Sequence, residues 1–303
     1  MATHVISRRI QLIIQFLMDH QYPSKIKILN FLENKDLKID SRTFERDLER
    51  IRTDFGLEIT YSKSEKGYFI DEERSVKVES FFKFLEIVSI ADIFSKSLKD
   101  NRQILDYVSF DDSKSFRGIE NLQDILLAIT QERQLLFKHE NFEQNTLKSY
   151  EITPFLLKEF ENRWYVIGVP KGFDEIRTFG IDRLTEINLG DKALYKKHHF
   201  EKQLNEFEDI IGINIEHKKP IPIRLKVSEL NLKYMRSLPM HQSQIIYPKN
   251  ESGEYFVDFF LVPNYEFITR ILKMGKDAVV ISPSNLKAKI KNILEATLQR
   301  YNN

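Results

Sequence analysis

Arg42, Arg46 and Arg50 recur every four residues through SRTFERDLER, with Thr43 beside the first of them. On an α-helix that spacing keeps side chains on one face. A row of guanidinium groups there can grip phosphate, while residues near the helix N-terminus reach base edges in a major groove. Arg42 and Thr43 are the candidate base readers, with Ser41 at the start of the same helix, and Arg46 and Arg50 are the candidate phosphate contacts. Lys63 and Lys66, in the polar run SKSEKG just downstream, can touch an adjacent backbone or minor groove. The competing reading is an ordinary exposed helix whose arginines pair with Glu45, Asp47 and Glu49.

A second constellation lies in RTFGIDRL, where Arg177, Phe179 and Arg183 share odd positions. On one strand they would line one surface, guanidinium groups meeting phosphate and an aromatic face stacking a base. Lys138, His139 and Tyr150 fall on neighbouring predicted strands and can add to that surface. The competing reading makes Trp164, Tyr165 and Phe179 core residues and pairs Arg183 with Asp182 or Glu186.

Catalysis finds no such support. The seven histidines show no metal-ligand spacing, and His198-His199 reads as a solvated turn. The chain has no cysteine, which removes thiolate zinc sites, cysteine nucleophiles and disulfides together. G-x-S-x-G, P-loop and G-x-G-x-x-G patterns are absent. No enzyme activity, cofactor or metal is expected.

These candidates need elements to hold them. Ile10, Ile13, Ile14 and Leu17 give a first amphipathic helix from Ile6 to His20, with Arg8, Arg9 and Gln15 solvated. Pro23 suits the first turn of a second helix carrying Ile28, Leu29 and Leu32. The third, capped by Asp40 or Ser41, has Phe44, Leu48, Ile51 and Phe55 on its core face. Leu57, Ile59 and Tyr61, then Tyr68 and Ile70, alternate as a β-hairpin. Three helices and a hairpin make a winged helix-turn-helix.

Helical spacing returns from Ser80 to Ser109, through Phe81, Phe84, Leu85 and Val88. A short helix from Asn121 to Ile129 follows, then strands in LLFKHE, SYEITPFLLKEFENRWYVIGV and EIRTFGIDRLTEINL, enough for a small barrel. Beyond lie PIPIRLKV, SELNLKYMRSL, QIIYPK, YFVDFFLV, YEFITRILKMG, AVVIS and a last helix from Pro283 to Tyr301. That order predicts an α+β unit with helices on one face of an antiparallel sheet.

The expected organisation is therefore α+β and multidomain: a winged helix-turn-helix over 1–72, a helical linker over 73–118, a small β-barrel over 119–200, an acidic linker over 201–217 and an α+β extension over 218–303. The net charge of +1 conceals a gradient, since residues 218–303 hold 14 Lys and Arg against 7 Asp and Glu. The N-terminal residues show no long apolar run with a small-residue cleavage site, and no run of about eighteen apolar residues occurs. A cytoplasmic protein with no membrane partner is expected.

At Trp164-Tyr165-Val166, at Arg177, Phe179 and Arg183, at SRTFERDL, and in YFVDFFLV with ILKMGKDAVVISPSNLKAKI, the chain resembles WYL-domain transcriptional regulators over nearly its whole length. The resemblance implies an Sm-like or SH3-like WYL barrel, and in it a basic and aromatic pocket for an oligonucleotide or nucleotide-like effector. Arg177, Phe179 and Arg183 match the family's strand motif, and with Tyr165 and with Lys138, His139 and Tyr150 from neighbouring strands they are the nominated effector-binding residues. The resemblance also implies duplex DNA as a partner and a homodimer held partly by the C-terminal extension. The chain departs from the family pattern at Val166, in place of leucine, and at Phe137, where many relatives carry tyrosine. A single-strand nucleic-acid-binding accessory protein, with the barrel as its main surface and the winged helix for protein contacts, is the alternative.

Overall fold

The computed structural model describes residues 2–75, 118–141 and 146–302. The chain divides into two units, 1–111 and 112–303. The helices expected from Ser80 to Ser109 lie outside the described residues.

In the first unit, α1 (Ala2–Asp19), α2 (Lys25–Glu33) and α3 (Ser41–Phe55) precede the strands β1 (Ile59–Ser62) and β2 (Gly67–Ile70). Their apolar stripes converge on one core: Ile10, Ile13, Ile14 and Leu17 from α1, Ile28 and Leu32 from α2, Phe44, Leu48 and Ile51 from α3, with Leu57 and Ile59 beneath the hairpin. Side-chain caps set where the later helices start. The Ser24 hydroxyl accepts from the Lys27 N–H, and Asp40 accepts from the Thr43 N–H at 2.7 Å. Gly56, at φ 66°, ends α3 in the left-handed conformation that glycine adopts without strain.

Pro23 lies before the Ser24 cap instead of inside α2, and its carbonyl accepts from the Tyr68 N–H at 2.9 Å. The hairpin is thereby fastened to the loop between α1 and α2. Gly67 makes this possible, because a Cβ there would stand 1.9 Å from the Tyr22 carbonyl oxygen. Arg9 also differs from expectation: it is buried, gripping Asp47 of α3. The helical period assigned it to the solvated side of α1, and a buried carboxylate partner draws it inward.

In the second unit, α4 (Leu122–Thr130) buries Ile125 and Ala128 against a five-stranded antiparallel sheet. The strands are β3 (Arg133–Asn141), β4 (Thr146–Phe160), β5 (Arg163–Pro170), β6 (Arg177–Gly180) and β7 (Leu184–Lys192), in the order β6-β5-β4-β3-β7. Only the 3-10 turn Ile181–Arg183 joins the two edge strands. So short a connection requires the sheet to curl until its edges approach each other.

Residues 201–217, expected as an acidic linker, carry a buried apolar row. After α5 (Glu201–Asn205), Phe207, Ile210 and Ile211 are buried, and Phe207 and Ile210 pack with Phe155, Ile167, Val169 and Val262. Acidic side chains conceal that apolar spacing in the sequence. Asn264 and Glu266 then clamp the strap. Glu266 accepts from the N–H groups of Ile213 and Asn214 at 3.0 and 3.1 Å, and the Asn264 amide donates to the Ile211 carbonyl at 2.7 Å.

The C-terminal part is a second antiparallel sheet of β8 (Ile221–Val227), β9 (Ile245–Ile246), β10 (Tyr255–Leu261) and β11 (Ala278–Ser282), in the order β11-β8-β10-β9. Ile223, Leu225, Val257, Phe259 and Val280 form one face of it, packed under α6 (Glu229–Ser237), α7 (Tyr265–Lys273) and α8 (Ser284–Tyr301). This is the α+β arrangement expected from the order of elements. Among the described residues, no helix is long and apolar enough to cross a membrane.

Candidate nucleic-acid interface and effector site

Two groups of side chains could meet a nucleic acid. On α3, Arg42 and Arg46 are exposed and Thr43 and Arg50 half-buried, on the side away from Phe44, Leu48 and Ile51, and Ser41 is exposed in the first turn. The three acidic residues that could have neutralised the arginines are engaged elsewhere. Glu45 accepts from Lys25 at 2.6 Å, Glu49 from Arg52 at 3.0 Å, and Asp47 takes Arg9. Among the described residues, no carboxylate lies within ion-pair distance of Arg42, Arg46 or Arg50.

Asp40, the cap of α3, feels the charges of Arg46 and Arg42. The Thr43 N–H and hydroxyl hold its carboxyl below the usual range, and Arg46 and Arg42 add to that effect. Lys63 and Lys66 are exposed at the hairpin turn, Lys66 with φ 53°. The edge therefore offers cations whose charge is little compensated, which is what phosphate contact requires.

The second group belongs to the five-stranded sheet. Phe137 pairs across the ladder with Tyr150, and His139, two residues on, shares its face. Their rings surround Phe179: the centroids of Phe137, His139 and Tyr150 lie 5.2, 5.5 and 4.9 Å from it, all edge to face. Phe179 is 3% exposed, so it supports the cluster from below and has no open face for a base. His139 Nε2 is buried and has no hydrogen-bond partner among the described residues. Burial, and next the charge of Arg183, lower the His139 pKa, with Asp182 opposing.

Arg177, Phe179 and Arg183 do not share a strand. β6 ends at Gly180, and the three residues of the following turn carry Asp182 and Arg183 across to β7. Because Tyr165 faces Gly180 and His139 faces Leu184, that turn spans the end of the curled sheet from β5 to β3. Arg183 is thus brought beside His139 by a turn and not by strand parity.

The remaining nominated residues lie apart from the aromatic cluster. Val166 pairs with Phe179 and Tyr165 with Gly180, which places Tyr165 on the opposite face. Burial raises its phenol pKa, the charge of Arg163 opposing, and Arg163 lies 3.8 Å from Asp182. Lys138 points away from the cluster and pairs with Glu186 at 2.6 Å. Arg177 stacks on Phe173, its guanidinium carbon 4.1 Å from the ring centroid. Arg163 escapes the sequence reading, and Asp182 is named there only as a partner for Arg183; Arg163 opens β5 after a tight turn, and Asp182 lies within the Ile181–Arg183 turn.

Residues 120–189 match the WYL domain model, and residues 219–298 match the WCX domain model. The chain carries a WYL domain followed by a WCX domain. The aromatic cluster and the Ile181–Arg183 turn lie within WYL, and the four-stranded sheet lies within WCX. Proteasome accessory factor B/C (PafBC) of Arthrobacter aurescens is similar at 16% identity, over 94% of this chain and 46% of that one, with a TM-score of 0.30. The chain thus spans about half the length of PafBC. A CRISPR Cas-related protein is similar at 13% identity, over 99% of this chain and 85% of that one, with a TM-score of 0.43. No curated protein matches the sequence. Among the described residues, no group of three or more His, Cys, Asp or Glu is placed to hold a metal ion.

Proposed function

We propose that the protein is a cytoplasmic DNA-binding transcriptional regulator whose WYL domain senses a nucleic-acid or nucleotide-like effector. The observation that carries this is the edge of α3: Arg42, Arg46 and Arg50 stand clear of the acidic residues beside them in sequence, because each of those has another partner. On this reading α1 to α3 and the β1-β2 hairpin are a winged helix-turn-helix, with α3 in the major groove and Lys63 and Lys66 on the wing.

The strand order β6-β5-β4-β3-β7 and the single turn joining its edges support an Sm-like barrel for WYL. The effector would meet the end of that barrel, where Arg183 supplies a cation, His139 a buried nitrogen in need of a partner, and Tyr150 an aromatic edge. An anion with an attached base satisfies all three. Binding and release of the effector would then bias the DNA affinity of the first unit, provided its affinity differs between the two states. This function needs no catalytic group.

The assembly is a homodimer reading a partly palindromic site. The uncovered face of the WCX sheet suits a second copy: Phe260, Ile245, Val279 and Ile281 are exposed on it, and its charges are paired, Arg224 to Asp258 at 2.7 and 2.6 Å and Lys226 to Glu254 at 2.7 Å. Around a two-fold axis, one Arg224–Asp258 dipole opposes the other.

Selection of duplexes from a random pool tests the reading. The protein should enrich a partly symmetric site, and Arg46→Ala should lower the salt dependence of binding by about one phosphate contact. Failure to enrich any duplex contradicts it.

A further inference from the structure

Arg9 and Asp47 are 38 residues apart in sequence, on α1 and α3, and they meet inside the core of the first unit. Their side chains are 9% and 0% exposed. Arg9 Nε donates to one carboxylate oxygen of Asp47, and a terminal nitrogen donates to the other at 2.8 Å. Their sequence neighbours Ile10 and Leu48, with Ile13 and Ile51, belong to the apolar core of that unit.

Stability alone does not account for such a pair. Removing both charges from water can cost as much as their attraction returns, and well-packed apolar side chains of similar volume often do as well or better. What a fork of two parallel hydrogen bonds supplies is direction, since it tolerates neither sliding nor twisting of one helix against the other. Apolar ridges packed in grooves accept a range of orientations.

On α3 the direction matters. Arg46 precedes Asp47 and Arg50 follows three residues later, so the rotation that seats Asp47 also sets where both arginines point. A rotation of about 20° moves a side-chain tip roughly 6 Å from the helix axis by roughly 2 Å, well beyond the tolerance of a hydrogen bond to a base edge. Arg9 also removes a competitor. Without it, Asp47 stands at helical spacing to pair with Arg50.

We propose that Arg9 and Asp47 are positioning residues that lock the rotation of α3 against α1 and so aim its arginine edge. The inference rests on the reading of α3 as the DNA-facing helix. It requires no contact of Arg9 or Asp47 with DNA.

The test compares wild type, Arg9→Lys and the apolar double variant Arg9→Met with Asp47→Leu. Thermal melting, anisotropy with a labelled duplex from the region upstream of the protein's own gene and with a scrambled duplex, and amide NMR spectra of α3 are recorded for each. The double variant should melt at or above the wild-type temperature, lose about ten-fold or more in affinity for the upstream duplex, and lose its preference over the scrambled one. Its α3 amides should broaden or double where wild type gives one set. Arg9→Lys, which keeps the charge and loses the fork, should fold and fall between them, and it decides the matter should the double variant not fold. Full affinity, full selectivity and a single set of α3 signals in a folded variant overturn the lock. Should wild type itself ignore duplex DNA, the reading of α3 fails, and the amide spectra still decide whether the pair fixes the helix.

Discussion

The His139 imidazole meets the Phe179 ring edge to face, with centroids 5.5 Å apart and planes at 81°. A protonated imidazole would place a second cation beside Arg183 in a half-buried site. Burial and Arg183 therefore hold the His139 pKa below the ordinary 6.5. The folded protein binds fewer protons here than the unfolded chain, so the contribution to stability is full above about 6.5 and is lost as the pH falls through the lowered folded value. Burial lowers His241 as well, with the same sign. The melting temperature should fall between about pH 7.5 and about pH 5.5, and His139→Gln should remove part of that fall. An unchanged pH dependence in the variant would show that His139 titrates like an exposed histidine.

Phe179 touches Phe137, His139 and Tyr150 at once, so its truncation leaves a cavity in the WYL core. Phe179→Ala should destabilise the second unit by about 3–5 kcal/mol, read by urea unfolding. A loss below about 1 kcal/mol would mean the ring is not the support described.

Gly67 has no room for a side chain against the Tyr22 carbonyl. Gly67→Ala should push the hairpin off the α1–α2 loop and cost about 1–3 kcal/mol, visible as a lower melting temperature and faster exchange of the Tyr68 amide that bonds Pro23. Wild-type protection of that amide in the variant would contradict the close approach.

Phe260 is 56% exposed on the uncovered WCX face, near the end of β10. If two copies meet there, Phe260→Asp buries a carboxylate without a partner and sedimentation should report monomers at concentrations where wild type is dimeric. A dimer in both proteins would move the interface elsewhere.

Much of this architecture is legible from periodicity. The apolar stripes of α1 and α3, the cap at Asp40 and the helix and strand order of the C-terminal part follow from local spacing that the tertiary structure does not override. What escapes is decided by partners distant in sequence. Asp47 reads as one more surface acid until Arg9, 38 residues away, is seen to take it. Arg183 has the parity of Phe179, but a 3-10 turn consumes the intervening residues, so parity no longer indicates the face. In the strap, Phe207, Ile210 and Ile211 are hidden among glutamates because it packs along two bodies and repeats no single period.

On the proposed function, one chain couples duplex DNA binding to occupation of the WYL domain. Fluorescence anisotropy with a duplex from the protein's own upstream region, at two salt concentrations and with or without short single-stranded oligonucleotides, tests it most directly. Binding should be tight and salt-sensitive and should shift when the oligonucleotide is added; Arg46→Ala should lose affinity, and Arg183→Ala should keep basal affinity but lose the shift. Binding to single strands with no preference for any duplex, unaffected by Arg46→Ala, would contradict it.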